Sequence, residues 1–429
     1  MPCASLRNVA GSIPACSAVF RERVRQSGDQ MNRNERNRRA DALLARKIQN
    51  VMQPHTLPSF EELELGCLTF QGTYPGGDLF DVLKISEDIL ALLMFGVQGS
   101  GMRSVLIAAM AKVRFTAHVH QSVSPAAVIE RVNGELAQGV PLELHLSAFV
   151  GYLNLHDNLL TYCNAGGITP LVFRREAESV EYLHTNTRRI EPVATGNGGW
   201  QEERVHLAQG DCLLLHSDGF CNVVGTGSRA DRSGVREILR HQIREAGCYS
   251  RFLDYLRAAV AQRSVPLDDD LSVAYAEILT QSRKNLLKEK LGFTHDDRVY
   301  LQFMNYIEEM DRVTATILTA MDVTGYSDER IRKMKIVLTE LLVNAIIHGN
   351  NRDASKNVVI GHTIDRKTMV ISIMDEGSGF DPSSIPDPTL PENLEKPCGR
   401  GLFIVRHYVD SIEFNETGNR VTISTSGTF

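Results

Sequence analysis

The sequence predicts a mixed α/β chain folded as two domains, and three observations carry that prediction. Between residues 58 and 279, short apolar runs of strand length alternate with runs of helical periodicity. Residues 291–429 repeat the alternation with longer helices. Residues 280–290, between the two, are polar and charged, as a domain boundary should be. A length of 429 residues suits two or three domains, and a hydrophobic content of 43% is ample for their cores.

Composition excludes several classes. A formal net charge of −6 gives no basis for nucleic-acid binding. The eight cysteines, Cys3, Cys16, Cys67, Cys163, Cys212, Cys221, Cys248 and Cys398, form no CxxC pair, so neither a zinc site nor a disulfide framework is indicated. The longest apolar run, Ile89 to Val97, falls well short of the ~20 residues of a membrane helix. No uninterrupted apolar segment of a signal peptide stands in the first thirty residues. The expectation is a cytoplasmic protein.

Residues 1–35 read as an unordered tail, and Asn32 to Arg39 is strongly polar and basic. Ala40, Leu44, Ile48 and Val51 then recur at helical spacing until Pro54, which makes residues 36–57 an amphipathic linker helix. Such a helix can pair with a copy of itself, giving a homodimer, or pack on its own domain. Strands are expected at Ile89 to Val97, Leu146 to Leu155, Leu159 to Cys163, Leu171 to Phe173 and Asp211 to His216. Helices are expected at Ser104 to Val119, Pro125 to Leu136, Val235 to Ala246 and Tyr249 to Ala261.

After the boundary come a strand at Leu291 to Thr294 and a long helix from Asp297 to Met321. Ser327 caps the next helix, Asp328 and Glu329 occupy its first turn, and Gly349 suits its C′ position. Strands at Val358 to Ile364, Met369 to Met374, Ser411 to Phe414 and Arg420 to Ser424 complete a two-layer α/β sandwich. Pro382, Pro386, Pro388, Pro391 and Pro397 keep the intervening segment non-helical.

The helix capped by Ser327 has two working faces. Leu338, Leu341, Leu342 and Ala345 make a core stripe, while Glu340, Asn344 and His348 step four residues at a time along another flank. A carboxylate and a carboxamide one turn apart suit a Mg-nucleotide. Asp375-Glu376-Gly377-Ser378-Gly379 follows a strand, and Gly399-Arg400-Gly401 follows the prolines. Each alone is an ordinary solvated face or turn. In this order and spacing they resemble the Bergerat ATP-binding fold, most closely its anti-sigma-factor serine kinases.

That resemblance implies ATP and Mg²⁺ as cofactors. Asn344 would coordinate Mg²⁺, Glu340 would be the general base for the acceptor hydroxyl, and Asp375 would accept a hydrogen bond from the adenine amino group. Gly377 and Gly379 would admit the ring, and Gly399 and Gly401 would hinge a lid over the phosphates. His348 is either a further nucleotide contact or a histidine favoured by the helix C-terminus. The short boundary cannot hold the dimerisation hairpin of a sensor histidine kinase.

In the N-terminal half, Gly76-Gly77-Asp78, Asn164-Ala165-Gly166, Gly210-Asp211, Ser217-Asp218-Gly219 and Asp269-Asp270-Leu271-Ser272 resemble the PPM-type serine/threonine phosphatases of the SpoIIE/RsbU branch. Ile48-Gln49 resembles the linker helix of that branch. The resemblance implies an α-β-β-α sandwich over residues 58–279 and two Mn²⁺ or Mg²⁺ ions, with Asp78, Asp218, Asp269 and Asp270 at ligand positions. Gly96 stands where the family places the carboxylate that bridges both metals. Gly167 replaces a usual histidine and Asn222 a common acidic residue, and Asp81 is a nearby carboxylate to consider for one metal. Two readings stay open, a phosphatase and a folded pseudophosphatase used for docking or regulation.

Both resemblances together imply a partner-switching regulator. Its C-terminal domain would phosphorylate a serine or threonine of a STAS-type anti-anti-sigma protein, and its N-terminal domain, if active, would remove the phosphate. The alternative is a non-catalytic module that sequesters a sigma factor or a STAS partner and uses ATP or a lone metal for structure. Glu340 speaks against that alternative and Gly96 for it.

Overall fold

The computed structural model describes residues 39–427 apart from 55, 123, 139–144, 169, 184–188, 191–198, 225–236, 238–239, 242–248, 354 and 383–399. A helix over residues 39–52 (α1) leads into β1 (Leu63–Phe70), β2 (Leu79–Lys84), β3 (Ile89–Val97), α2 (Met102–Val119), α3 (Pro125–Leu136), β4 (Leu146–Asn154) and β5 (Leu159–Ala165). Then follow β6 (Leu171–Arg174), β7 (Ser179–Tyr182), β8 (Glu203–His206), β9 (Cys212–His216), α4 (Asp218–Val224), α5 (Tyr249–Ala261) and β10 (Leu271–Ile278).

These strands form two sheets, β2-β3-β4-β5-β8 and β1-β10-β9-β6-β7. Strand β3 is apolar throughout because both its faces are covered: Leu90, Leu92 and Met94 meet the opposing sheet, whereas Ala91, Leu93 and Phe95 meet α2 and α3. Strand β9 does the same, with Leu213 and Leu215 turned to the inter-sheet core and Cys212 and Leu214 to Phe220, Phe252 and Leu256 of α4 and α5. The result is the expected α-β-β-α sandwich. Ser124 caps α3 by accepting from the Ala127 N–H, and Pro125 occupies its first turn.

The second half contains α6 (Gln281–Leu291), β11 (Tyr300–Met304), α7 (Met310–Thr324), α8 (Asp328–Val343), a π-helical turn (Asn344–Gly349), β12 (Val358–Ile364), β13 (Thr368–Asp375), α9 (Arg400–Tyr408), β14 (Ser411–Phe414) and β15 (Arg420–Ser426). The antiparallel sheet β11-β12-β13-β15-β14 packs one face on α7, α8 and α9 through Ile317, Leu338, Leu342, Ile371 and Val405. Ser327 caps α8 as expected, accepting from the Arg330 N–H.

Several expectations are corrected. The polar boundary is helix α6, capped by Thr280 and ended by Gly292 in the left-handed region at φ 83°. Its Leu287 and Leu291 cover the second face of the sheet against Leu301, Phe303 and Val359. No strand therefore forms at Leu291 to Thr294; the strand is Tyr300–Met304, and the following helix starts at Met310, not Asp297. Both faces of β11 are buried, so its sequence lacks the polar alternation that marks a strand. Gly349 lies inside the π-helical turn instead of terminating an α-helix. Strand β2, which follows the Gly76-Gly77-Asp78 motif, was not among the expected strands. The helix expected at Val235 to Ala246, the proline-rich segment after Pro382, and the tail before residue 36 lie largely or wholly outside the described residues.

Helix α1 also turns a different face inward. Ala45 and Gln49 are buried, whereas Leu44 and Val51 of the expected apolar stripe are 52% and 68% exposed. The helix docks through polar contacts: the Arg46 guanidinium donates to the carbonyls of Gly72 and Thr73 at 3.1 and 2.9 Å.

His362 on β12 is buried with neither ring nitrogen hydrogen-bonded among the described residues, and burial pushes its pKa down to about 4. The folded state holds the neutral ring, so the stability it contributes is complete above the ordinary pKa of about 6.5 and is lost as pH falls towards 4, by about 3 kcal/mol. His362→Phe is expected to flatten that part of the stability–pH profile, which chemical denaturation at pH 4, 5, 6 and 7 would read. A slope equal to that of the parent protein would contradict the assignment.

Candidate functional site

The C-terminal site is built where α8, the end of β13 and the start of α9 meet. Asp375 ends β13 half-buried, and its carboxylate accepts the Gly377 N–H at 2.8 Å. Burial raises its pKa, and that N–H bond opposes the rise. A Cβ on Gly349 would fall on the Asp375 carboxylate, and a Cβ on Gly377 would fall on the Gly349 carbonyl. The two glycines thus form a cradle that any side chain would fill.

Asn350, which sequence reasoning missed, holds this cradle. It is 2% exposed, its Oδ1 accepts the Glu376 N–H at 2.8 Å, and its Nδ2 donates to the Asn357 carbonyl at 3.1 Å. Glu376 in turn accepts the Asn357 N–H at 2.9 Å. The only signal available was an asparagine directly after the Asn344-to-Gly349 run.

Glu340 and Asn344 lie on the same flank, one helical turn apart, and both are half-buried. Gly401, in the first turn of α9, sits so close to Glu340 that a Cβ there would meet Oε2. The N-terminal turn of a helix favours a carboxylate beside it. His348 is exposed in the π-helical turn. Gly379, at φ 73°, requires glycine both for its backbone and for the closeness of the Thr417 carbonyl. Gly399 lies outside the described residues. The donor types fit a Mg-nucleotide: an amide oxygen and a carboxylate on one flank, and a carboxylate in a cradle open to a flat ring.

The N-terminal site gathers Asp78, before β2, with Asp218 at the start of α4 and Asp269 and Asp270 before β10. Asp78 is half-buried, and burial together with the charges of Asp269, Asp270 and Asp218 drives its pKa well up. Gly96 lies on β3 beside it, and a Cβ at residue 96 would come within 2.5 Å of Asp78 Oδ1. Asp78 therefore occupies the room of the missing side chain. Asp270 is fully buried and accepts from three donors: Gly72 N at 2.8 Å, Gly76 N at 2.8 Å and the Gln49 amide of α1. Asp81 faces elsewhere and pairs with Lys112 at 3.1 Å.

Among the described residues no group of three or more His, Cys, Asp or Glu side chains is arranged to hold a metal ion. The carboxylates converge in charge, yet the bridging position is glycine and both oxygens of Asp270 are engaged. This arrangement does not fit a two-metal centre, and no chemistry is derived through one. Gly167 and Asn222 are exposed, with the Asn222 carbonyl accepting from Arg263 at 3.1 Å.

Comparison with known proteins matches both halves. Residues 86–279 match the family Stage II sporulation protein E (SpoIIE), and residues 305–425 match the Histidine kinase-like ATPase domain. The phosphoserine phosphatase RsbU of Bacillus subtilis is 21% identical over 200 residues, covering 47% of this chain and 59% of that protein. The serine-protein kinase RsbW of Oceanobacillus iheyensis is 32% identical over 97 residues, covering 21% of this chain and 61% of that protein. The chain thus spans about three fifths of the length of each. An anti-sigma F factor of Geobacillus sp. is 31% identical over 133 residues, covering 29% of this chain and 88% of that protein. No helix among the described residues is long and apolar enough to cross a membrane.

The cradle around Asp375 makes a direct prediction. Gly377→Ala forces its Cβ into the Gly349 carbonyl, an overpacking that costs about 1–3 kcal/mol. Titration with a fluorescent ATP analogue is expected to show at least tenfold weaker binding, with a lower melting temperature. Unchanged affinity would remove the cradle from the site.

Proposed function

The chain belongs to the anti-sigma-factor branch of the histidine kinase-like ATPases through its C-terminal domain and carries a SpoIIE-type phosphatase domain before it, and from that premise we propose that it is an ATP-dependent protein serine/threonine kinase of a partner switch. The substrate class is a serine or threonine on a STAS-type anti-anti-sigma protein, with a sigma factor as a further partner. The observation that carries the reading is the placement of Glu340, one turn from Asn344 and against the first turn of α9. A pure nucleotide scaffold has no need of a carboxylate there.

In the proposed step the acceptor hydroxyl oxygen attacks the γ-phosphorus, the bond to the ADP leaving group breaks, and the hydroxyl proton passes to Glu340. Asn344 is the ligand for Mg²⁺, which when bound neutralises charge on the phosphates. Asp375 orients the nucleotide by its adenine amino group. The added phosphate carries nearly two negative charges, enough to disrupt docking of the STAS protein on its partner.

For the N-terminal domain we propose a pseudophosphatase that serves docking or regulation. Two dications held close together need a bridging negative charge, and Gly96 supplies none. Glu340→Ala is expected to lower phosphorylation of a STAS partner at least 100-fold, with binding of a fluorescent ATP analogue retained. The measurement is a mass-spectrometric time course in Mg-ATP, followed by ATP removal and addition of Mn²⁺. Persistence of the phosphate is the expected outcome. Its decay, abolished by Asp218→Asn, would make the protein bifunctional, and phosphorylation unaffected by Glu340→Ala would leave the non-catalytic binder as the better reading.

A further inference from the structure

We propose that the turn between β14 and β15, residues 415–419, is a positioning element of the nucleotide site, with Asn419 as its acting residue; this rests on the nucleotide reading given above. Asn419 bonds both peptide groups that flank the Cα of Asp375. Its backbone carbonyl accepts the Asp375 N–H at 3.0 Å, and its side-chain Nδ2 donates to the Asp375 carbonyl at 3.0 Å. On the β15 side the pairing of β13 runs to Met374 opposite Arg420, and these two bonds hold Asp375, whose other edge still pairs with Val358 of β12. The direction of the Asp375 carboxylate follows from the orientation of those peptides.

The same turn carries the rest of the loop. A Cβ on Gly379 would strike the Thr417 carbonyl, and a Cβ on Gly418 would strike the Phe380 carbonyl, so the two segments lie backbone against backbone. Gly379 and Gly418 have φ of 73° and 77°, a conformation that only glycine adopts without strain. Phe380 stacks edge-on against Phe414 at 5.6 Å, beside the same turn.

The turn is itself stiff. Asn415 donates to Thr417 Oγ1 at 3.1 Å and to Asn419 Oδ1 at 2.8 Å, and its Oδ1 accepts the Arg420 N–H at 3.0 Å. Asn415 therefore fixes the carboxamide of Asn419 with its donor end towards Asp375. On the far side the Arg420 guanidinium donates to the Lys290 carbonyl at the end of α6, at 3.2 Å. A short turn with three side-chain amide bonds and two close glycine approaches is more than a hairpin needs to reverse the chain. Its bonds converge on the residue that reads the base.

The test uses the full chain and two variants, Asn419→Ala and Asn419→Asp, the second having the same shape but no donor at that position. Each is expected to weaken binding of ATP about tenfold, the effect of one lost buried hydrogen bond. Each is also expected to reduce the preference for ATP over GTP, because Asp375 is aimed less well at the adenine amino group. The melting temperature of the nucleotide-free protein should fall by only a few degrees, too little to unfold it at the assay temperature.

Asp375→Ala in parallel separates the two levels of the reading. If it abolishes ATP binding while both Asn419 variants bind and discriminate like the parent, the positioning role is overturned and the nucleotide site stands. If both Asn419 variants lose nucleotide-free stability in step with affinity and keep their preference for ATP, the turn is merely structural and the proposal fails. If the parent chain binds no ATP, or Asp375→Ala changes nothing, the nucleotide reading itself falls.

Discussion

The C-terminal half depends on a small volume from which side chains are excluded. Asp375 can present its carboxylate only because residue 349 carries no Cβ, and the loop after it can pass only because residue 377 carries none. Local propensity opposes this arrangement: two glycines lose backbone entropy, and a π-helical turn replaces the better-bonded α-helix. Asn350 offsets part of that cost by pairing with both sides of the gap. The well-packed helices around Leu338, Leu342 and Ile371 supply the rest.

The N-terminal half uses the same device to a different end. Gly96 also opens a space, but Asp78 moves into it, and Gln49 of α1 closes on Asp270 from outside. A carboxylate that accepts three protein donors has little left to offer a cation. The acidic cluster thereby becomes an anchor for the preceding helix, whose docked face is Ala45, Arg46 and Gln49 and not the apolar stripe. That inversion explains how the domain keeps its four layers while its centre departs from the two-metal arrangement.

Much of this was legible in the sequence, and the failures have physical causes. Strands β3, β12 and β14 and helix α3 were readable to the residue, since each is bounded by turn residues or a cap. The strand Tyr300–Met304 was not, because Leu301 and Phe303 face α6 while Gln302 and Met304 face the other layer, and such double burial erases the period of two. Helix α6 was misjudged for the opposite reason: its polarity is real, but Arg283 pairs with the buried Glu64 and Glu277 and Lys288 with the half-buried Glu61. At the candidate C-terminal site Glu340, Asn344, Asp375, Gly377 and Gly401 could be picked out because glycine, acid and amide stand in a fixed order along the chain. Asn350 and Asn419 could not, since an asparagine announces a turn and says nothing of the distant peptide it will hold.

Helix α6 also shows that the boundary is not a hinge. Arg283 donates to both oxygens of Glu277 at 2.9 and 2.8 Å and to Glu64 at 2.5 Å, all in the first domain's sheet, and Lys288 reaches Glu61 at 2.5 Å. The opposite side of the same helix supplies Leu287 and Leu291 to the ATPase sheet. Further pairs lie alongside: Arg257 with Glu309 at 2.8 Å, Asp254 with Asn305 at 2.5 Å, and Thr316 with the Leu57 carbonyl at 3.0 Å. A half-buried arginine shared by two buried carboxylates is strongly orienting, since moving it would leave both acids uncompensated. Each large apolar side chain that α6 covers on β11 contributes about 1.5–3 kcal/mol by its burial. The ATPase sheet thus owes one of its two covered faces to a helix fixed in the neighbouring domain. The first domain thus has a physical task beside its own site, which is to hold that helix, and through Arg420 the turn between β14 and β15, in place.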